Sequence, residues 1–270
     1  MLDPLLIAEL VALGLVTGFL AGLLGIGGGM MLVPFITFIL SHRGVSADLA
    51  VKMAIATSMA TIVFTSISSV RAHHRRGAVR WDLVARLAPG IVLGSALAGA
   101  GVFRVVQGRW LALFFAAFVA FSATQMLLAR QPKPTRGLPG PAGQWGAGGA
   151  IGFLSGLVGA GGGFISVPFM TWCNVPMHQA VATSAALGFP IALANGIGYI
   201  WSGWGVAGRP PGSLGFVFLP ALAVIASASV LMAPVGVRVA HALPVATLKR
   251  AFALLLYALA ASMAYKAWSG

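Results

Sequence analysis

The sequence predicts an all-α polytopic membrane protein that contains two tandem homologous repeats and about eight transmembrane helices. Hydrophobic residues make up 59% of the 270-residue chain and charged residues only 8%, with a mean hydropathy of +0.96. A soluble domain usually carries about 25% charged residues, so these few charges suit a protein surrounded by lipid. A glycine-rich motif also occurs twice, once on each side of a proline- and glycine-rich linker.

The apolar runs set the expected number of helices. One membrane helix needs roughly 20 apolar residues, so each run separated by charged or turn-forming residues predicts at least one span. The first run is about 36 residues long, enough for a full helix and a re-entrant half-helix. The number of helices rises to between eight and ten if the glycine-broken segments are re-entrant. The runs lie near residues 5–40, 48–70, 83–106, 110–129, 145–173, 177–201, 214–240 and 246–268.

Two segments carry the evidence for a duplication. Gly18–Thr37 reads GFLAGLLGIGGGMMLVPFIT and Gly152–Thr171 reads GFLSGLVGAGGGFISVPFMT, with thirteen of twenty positions identical. A second match follows, AIATS at Ala54–Ser58 and AVATS at Ala180–Ser184. We interpret this as an internal duplication, which is common in transporters.

The linker divides the chain into two predicted units. Residues 1–130 form the first transmembrane repeat, residues 131–143 the linker and residues 144–270 the second repeat. Four spans in each unit would make the repeats parallel, whereas a re-entrant half-helix in each would make them inverted. The sequence leaves both arrangements open.

The ionisable residues restrict the ligand. The only acidic residues are Asp3, Glu9, Asp48 and Asp82, and none lies in the middle of a predicted span. Cation and proton carriers often use buried carboxylates, so an anion or a neutral ligand is favoured. The net charge of +13 comes largely from loop Lys and Arg residues, which set topology in membrane proteins. We therefore expect no nucleic-acid partner.

Patterns typical of enzymes are missing from the sequence. The single cysteine, Cys173, cannot form a disulfide framework or a thiolate metal cluster. We find no nucleophile–base–acid set, no P-loop and no dinucleotide fingerprint. We therefore predict a protein that is not an enzyme, needs no cofactor or metal, and lies in the lipid bilayer of the cell (inner or plasma) membrane as a multi-pass protein.

The first candidate binding site is a pair of glycine runs. Each glycine costs a helix interior roughly 1 kcal/mol relative to alanine, and Pro34 or Pro168 follows five residues after each run. A break there exposes N–H groups, and the half-helix that starts near Met30 or Phe164 directs its positive dipole end at the break. This predicts an anion site without charged side chains, formed by Gly25, Gly27, Gly28, Gly29, Gly159, Gly161, Gly162 and Gly163.

Close helix packing through small residues is the alternative role for membrane glycines. We assign that role to Gly18 and Gly22 and to their counterparts Gly152 and Gly156, because each pair has GxxxG spacing.

The second candidate is a set of polar side chains in the helices that follow. Hydroxyl groups donate to an anion without burying a charge, which points to Thr57, Ser58, Thr183 and Ser184. Asn195 lies eleven residues after Ser184 and shares its helix face. The alternative is that these groups bond to their own helix or to a neighbouring helix.

Lys52 and His178 are candidate charge partners of the same ligand. They occupy corresponding positions, five residues before Thr57 and Thr183. An offset of five residues places them about 140° away from the threonine around a straight helix. We therefore favour the alternative, a lysine that extends to the membrane interface and a loop histidine.

The doubled glycine motif, each copy followed by an ATS element, resembles the TauE/SafE family of sulfite and organosulfonate exporters, including 4-toluene sulfonate uptake permease-like members. The segment GAVRWD, Gly77–Asp82, resembles the same family. The resemblance implies a secondary transporter of a sulfur-containing oxyanion such as sulfite, thiosulfate, sulfoacetate or a related organosulfonate. It also implies that the substrate binds between the two glycine-broken helices, near the glycine runs and the two Thr-Ser pairs.

The sequence leaves two other functions open. An anion channel would use the same pore, and a membrane-assembly protein would use the glycines for packing alone. Coupling to the proton gradient has no evident carboxylate carrier, which leaves His178 or the substrate itself to carry the proton. The sequence also leaves open a homodimer, the direction of transport and the choice of substrate.

Overall fold

A computed structural model describes residues 4–24, 28–128, 137–242 and 246–269. These residues are mainly helical, with one short antiparallel hairpin in which Ser213 pairs with Phe218 and Leu214 with Val217. The elements are α1 (Pro4–Leu24), α2 (Gly29–His42), α3 (Ala47–His74), α4 (Trp81–Ala96), a π-helical segment (Leu97–Val102), α5 (Phe103–Val105), α6 (Gly108–Leu128), α7 (Pro141–Val158), α8 (Gly163–Trp172), α9 (Met177–Ser202), β1 (Ser213–Leu214), β2 (Val217–Phe218), α10 (Leu219–Ala242) and α11 (Ala246–Ser269).

Six helices in the described part of the chain are long and apolar enough to cross a membrane. They are Pro4–Leu23, Ala47–His74, Trp81–Val105, Gly108–Leu128, Met177–Ser202 and Leu219–Ala240. Two shorter apolar helices, Gly29–His42 and Phe252–Trp268, accompany them. The predicted class, an all-α multi-pass membrane protein, is therefore confirmed.

The two long apolar runs that contain the glycine motifs are each divided into two helices. Gly28 precedes α2 with φ 68°, Gly159 ends α7 with φ 74° and Gly162 precedes α8 with φ 77°. A residue with a Cβ loses roughly 1–2 kcal/mol in this left-handed conformation, so glycine suits all three positions. Gly25 and Gly27, predicted to belong to the first break, lie outside the described residues.

Helices from the two halves of the chain pack against each other in a reciprocal way. α1 packs against α10 and α7 packs against α4, while α6 packs against α11. α3 and α9 cross at the centre of the molecule and are the most buried of the candidate spans. Each half therefore places its first helix on the other half.

Close glycine contacts define the α1–α10 interface. A Cβ on Gly18 would lie 2.3 Å from the carbonyl oxygen of Ser229, which agrees with the packing role predicted from GxxxG spacing. The contacts advance together along both helices, so α1 and α10 run in the same direction: Gly14 meets Ile225, Gly18 meets Ser229 and Gly22 meets Ala233.

Further contacts give the direction of the central helices. α3 runs parallel to α10, because Thr57, Thr65 and Ser68 meet Phe218, Ser229 and Val230 in that order. α4 runs parallel to α7, because Leu87 meets Gly148 and Ile91 meets Gly152. It also runs parallel to α9, because Arg80 meets Thr183 and the later Gly99 meets Ser202.

The two sets of helices point in opposite directions. Only residues 75–80 connect α3 to α4, and such a short connection joins antiparallel neighbours. Helices α1, α3 and α10 therefore oppose α4, α7 and α9. If the halves are repeats, their equivalent helices run in opposite directions, and the arrangement is the inverted one.

The carboxyl ends of α2 and α11 lie at the same end of the bundle. Lys266 of α11 donates to the carbonyl oxygen of Thr37, at 3.3 Å, and to Ser41 Oγ. The start of α3 also lies there, since Asp48 accepts a hydrogen bond from the backbone N–H of Gly108 at the start of α6. We call this end, with loops 43–46 and 106–107, the α2-terminal face.

Candidate functional site

The two glycine breaks meet in the interior of the molecule. A Cβ on Gly29 would lie 2.1 Å from the carbonyl oxygen of Gly159 and 3.1 Å from Cα of Ala160. Real Cβ atoms do not approach this closely, so the contact requires glycine at position 29. The structure thus brings together the start of α2 and the end of α7, which are far apart in the chain.

Ser58 joins the two breaks. Its Oγ lies 2.9 Å from the carbonyl oxygen of Gly159 and 3.2 Å from that of Gly29, and the side chain is fully buried. The single hydroxyl hydrogen is shared between these two acceptors. α3 therefore holds a hydrogen-bonded link across the point where the halves touch.

Ser184, which corresponds to Ser58, has a different environment. It accepts a hydrogen bond from Ser166 Oγ of α8 at 2.8 Å. Both hydroxyls are fully buried. On this side the link therefore lies between α8 and α9, within one half of the chain.

The two threonines have reciprocal roles. Thr57 Oγ1 accepts a hydrogen bond from the backbone N–H of Phe218 at 2.9 Å, directly before α10. Thr183 Oγ1 accepts one from the backbone N–H of Arg80 at 3.0 Å, directly before α4. Unsatisfied N–H groups at helix starts need such acceptors. Each threonine therefore stabilises the start of a helix in the other half.

A polar cluster lies beside the second break. The side-chain atoms Ser95 Oγ, Ser155 Oγ and Asn195 Oδ1 are buried and have no hydrogen-bond partner within the described ranges. All three face the same short stretch: a Cβ on Gly152 would lie 2.7 Å from Ser95 Oγ, one on Gly156 2.2 Å from Asn195 Oδ1, and one on Gly162 3.1 Å from Ser155 Oγ. We call these three residues the Ser95–Ser155–Asn195 cluster.

Unpartnered buried polar atoms are rare in proteins and need an explanation, such as a bound water or ion. Asn195 was predicted from the sequence, and its amide nitrogen donates to the carbonyl oxygen of Ile191 at 2.9 Å. Ser95 and Ser155 were missed. The signal for Ser155 was available, because it is a hydroxyl in the repeated motif where the first copy has Ala21.

The remaining glycines place backbone donors next to this cluster. Gly163 is the first residue of α8 and Gly29 the first of α2, and both are buried, as is Gly161 between α7 and α8. The first N–H groups of a helix have no partner within the helix, and the helix dipole makes that end positive. The arrangement is suited to bind a small anion through N–H and O–H groups.

The structure places the two candidate charge partners elsewhere. Lys52 lies 3.6 Å from Asp48 and its Nζ lies 5.9 Å from the ring centroid of Phe216. His178 is exposed at the start of α9. Among the residues that the structure describes, no three His, Cys, Asp or Glu side chains are grouped to hold a metal ion.

Comparison with known proteins gives one family and several relatives. The family model described as sulfite exporter TauE/SafE matches residues 10–263. A probable membrane transporter protein of Haemophilus influenzae is 37% identical over 94% of this chain and 96% of its own. Probable membrane transporter proteins of Methanocaldococcus jannaschii and Bacillus subtilis are 27% and 30% identical, over 87% and 72% of this chain and 86% and 78% of their own.

No solved structure matches the chain. The family match covers nearly all of it, including both glycine breaks. The chain therefore belongs to the TauE/SafE family and is a multi-pass membrane transporter.

Proposed function

We propose that the protein is a secondary transporter of a sulfur-containing oxyanion, such as sulfite, thiosulfate, sulfoacetate or a related organosulfonate, which binds between the glycine-broken helices. The observation that supports this most directly is the contact of the two breaks at Gly29 and Gly159, next to buried polar atoms that have no hydrogen-bond partner in the described part of the chain. Unwound backbone at membrane depth is tolerated where it is buried or lines a cavity.

The chemistry of the site fits an anion. Sulfite and sulfonate groups offer several acceptor oxygens, and charge-assisted hydrogen bonds from N–H and O–H donors bind such groups strongly. The Ser95 and Ser155 hydroxyls supply donors, while the starts of α2 and α8 supply N–H groups and a positive dipole. Asp48 and Asp82 lie in the first turns of α3 and α4, away from this site.

The names of the relatives support a transporter without naming its substrate. The sulfur-containing substrate is taken from the description of the family. Coupling to the proton gradient is part of the proposal, with the substrate or His178 as the proton carrier.

A ligand panel on purified protein tests the substrate class. Sulfite, thiosulfate, sulfoacetate, taurine and sulfate are added in turn, and the thermal unfolding midpoint is measured. A ligand that binds only the folded state adds about 2.7 kcal/mol of stability when its free concentration is 100 times its Kd. A midpoint unaffected by every oxyanion would contradict the proposal.

Counterflow in proteoliposomes tests the mechanism. A secondary transporter loaded with unlabelled thiosulfate accelerates the uptake of labelled thiosulfate, whereas an anion channel shows no such trans-stimulation. An imposed pH gradient that changes the final accumulation would support proton coupling, and identical accumulation with and without the gradient would argue against it.

Ser155→Ala tests the location of the site. Because its Oγ has no partner in the described chain, the substitution should leave stability nearly unchanged. Loss of one hydrogen bond of about 0.5–1.5 kcal/mol should weaken thiosulfate binding roughly 2- to 12-fold. The matched control is Ser122→Ala, whose hydroxyl is buried but donates to Phe118 at 2.8 Å within α6. Equal affinities for both variants would place the site elsewhere.

A further inference from the structure

A cavity lined by several charged side chains opens at the α2-terminal face. It has a volume of about 490 Å³ and is lined by the start of α3, the start of α6 and the end of α11. This volume lies in the range of small-molecule sites, about 300–1,000 Å³. Its lining includes Asp48, Val51, Lys52, Gln107, Arg109 and Lys266.

The cavity has an excess of positive charge. Lys52, Arg109 and Lys266 line it together with a single carboxylate, Asp48. That carboxylate is partly occupied, because Asp48 Oδ1 accepts the backbone N–H of Gly108 at the start of α6. The positive end of the α6 dipole adds to the same field. Clefts lined by one sign of charge concentrate ligands of the opposite sign.

The two lysines are held in place by different means. Lys52 is 8% exposed, and its distance of 3.6 Å from Asp48 exceeds the roughly 2.7–2.9 Å of a direct charge-assisted hydrogen bond. Its ammonium group thus retains donors for another acceptor. Lys266 is anchored by Thr37 and Ser41, which fixes its Nζ at the cavity. Arg109 lines the cavity with an exposed side chain.

The cavity is aligned with the glycine breaks through α3. Val51 lines the cavity, and Ser58 lies seven residues later on the same helix face, about 10.5 Å along the axis. Ile55 lies between them, fully buried, with its Cα 3.1 Å from the position of a Cβ on Gly159. One apolar layer therefore separates the cavity from the meeting point of the breaks.

We propose that this cavity is a second anion site, which captures an oxyanion headgroup, either a sulfonate or sulfur oxyanion from solution or the phosphate of an anionic lipid, through Lys52, Lys266 and Arg109. This site stands on its own residues and does not depend on the proposed substrate site at the breaks.

The test compares two ligand sources in nanodiscs. In the first arm, protein in phosphatidylcholine nanodiscs is titrated with ³⁵S-thiosulfate. In the second, nanodiscs contain an increasing fraction of phosphatidylglycerol, and native mass spectrometry counts retained lipids. Lys52→Gln with Lys266→Gln should weaken binding about tenfold or more in at least one arm. The arm that responds identifies the source of the anion.

Two single variants keep the test independent of folding. Arg109→Gln changes an exposed residue and should weaken the same binding several-fold, whereas Arg104→Gln, an exposed arginine outside the cavity lining, should leave it unchanged. The inference would be overturned if, in both arms, Arg109→Gln and the double variant bound their ligands as tightly as Arg104→Gln does. Ser155→Ala should leave this site unchanged, so failure here is distinguishable from failure of the substrate site at the breaks.

Discussion

The two glycine breaks differ in how their polar neighbours are satisfied. Beside the first, Thr65 and Ser229 form a buried hydrogen bond of 2.7 Å. With the two halves aligned on their motifs, Ile191 stands at the position of Thr65 and has no hydroxyl. Ser95 faces Gly152 as Ser229 faces Gly18, but Ser95 Oγ has no hydrogen-bond partner in the described residues. The motif also has Ser155 in place of Ala21.

This difference teaches that halves of similar sequence need not surround their glycine breaks with equivalent hydrogen bonds. The first side is internally bonded and serves the structure, whereas the second side has polar atoms available for a ligand. We therefore expect the substrate to lie closer to the second break, and five substitutions break or sharpen this comparison.

Gly29→Ala should have the largest effect. A Cβ there meets the Gly159 carbonyl oxygen at 2.1 Å, so the backbone of one break must shift. Overpacking of this kind costs about 1–3 kcal/mol, and we expect transport to be lost. The control is Gly146→Ala in α7, where φ is not left-handed and nothing lies within 4 Å of the added Cβ. Normal flux in Gly29→Ala proteoliposomes would show that the contact of the breaks is not required.

Ser58→Ala should have the next largest effect. It leaves the carbonyl oxygens of Gly29 and Gly159 without this donor, which costs about 1–3 kcal/mol for buried groups. We expect a lower unfolding midpoint and slower transport than for Ser166→Ala, which removes a hydrogen bond within one half. A larger effect of Ser166→Ala would reverse the ranking of the two links.

Thr57→Val and Thr183→Val should have similar, smaller effects. Each removes one acceptor from a backbone N–H before a helix of the other half, a loss of about 1 kcal/mol. Because Phe218 is buried and Arg80 is only partly buried, we expect Thr57→Val to lower the unfolding midpoint slightly more. An effect of only one substitution would show that the reciprocal contacts are not equivalent.

Ile191→Thr should change stability least and affinity selectively. It introduces at the second break the hydroxyl found at Thr65, and a bond to Ser95 should offset the loss of apolar packing, so stability changes by less than about 1 kcal/mol. With Ser95 occupied, thiosulfate binding should weaken roughly 2- to 12-fold. Titration calorimetry measures the thiosulfate dissociation constants of the wild-type protein and the variant. Equal dissociation constants would show that Ser95 does not contact the ligand.

Much of this fold could be predicted because its signals are local. Low charge and long apolar runs indicate membrane helices, and glycine runs indicate breaks, since a left-handed φ and a helix end depend on a few adjacent residues. The helix ends at Gly28, Gly159 and Gly162 therefore coincide with the predicted breaks. The duplication and the substrate role of the breaks stay predictions.

Other features depend on contacts that no local pattern contains. Lys52 and His178 are matched in sequence, yet one lies in a polar cavity and the other on the surface. The packing of α4 on α7 buries the Ser95 hydroxyl without a hydrogen-bond partner among the described residues, which its position in a helix does not predict. Side-chain environment follows from helix neighbours, which hydropathy does not specify.

By itself, the sequence determined a lipid-embedded helical protein, the positions of its two breaks and the scarcity of acidic residues, because composition and backbone preference act residue by residue. Only the tertiary structure decided that Gly29 touches Gly159, that each threonine caps a helix of the other half, and that α1, α3 and α10 run opposite to α4, α7 and α9. These features arise from the packing of distant helices, whose direction is set by the whole path of the chain.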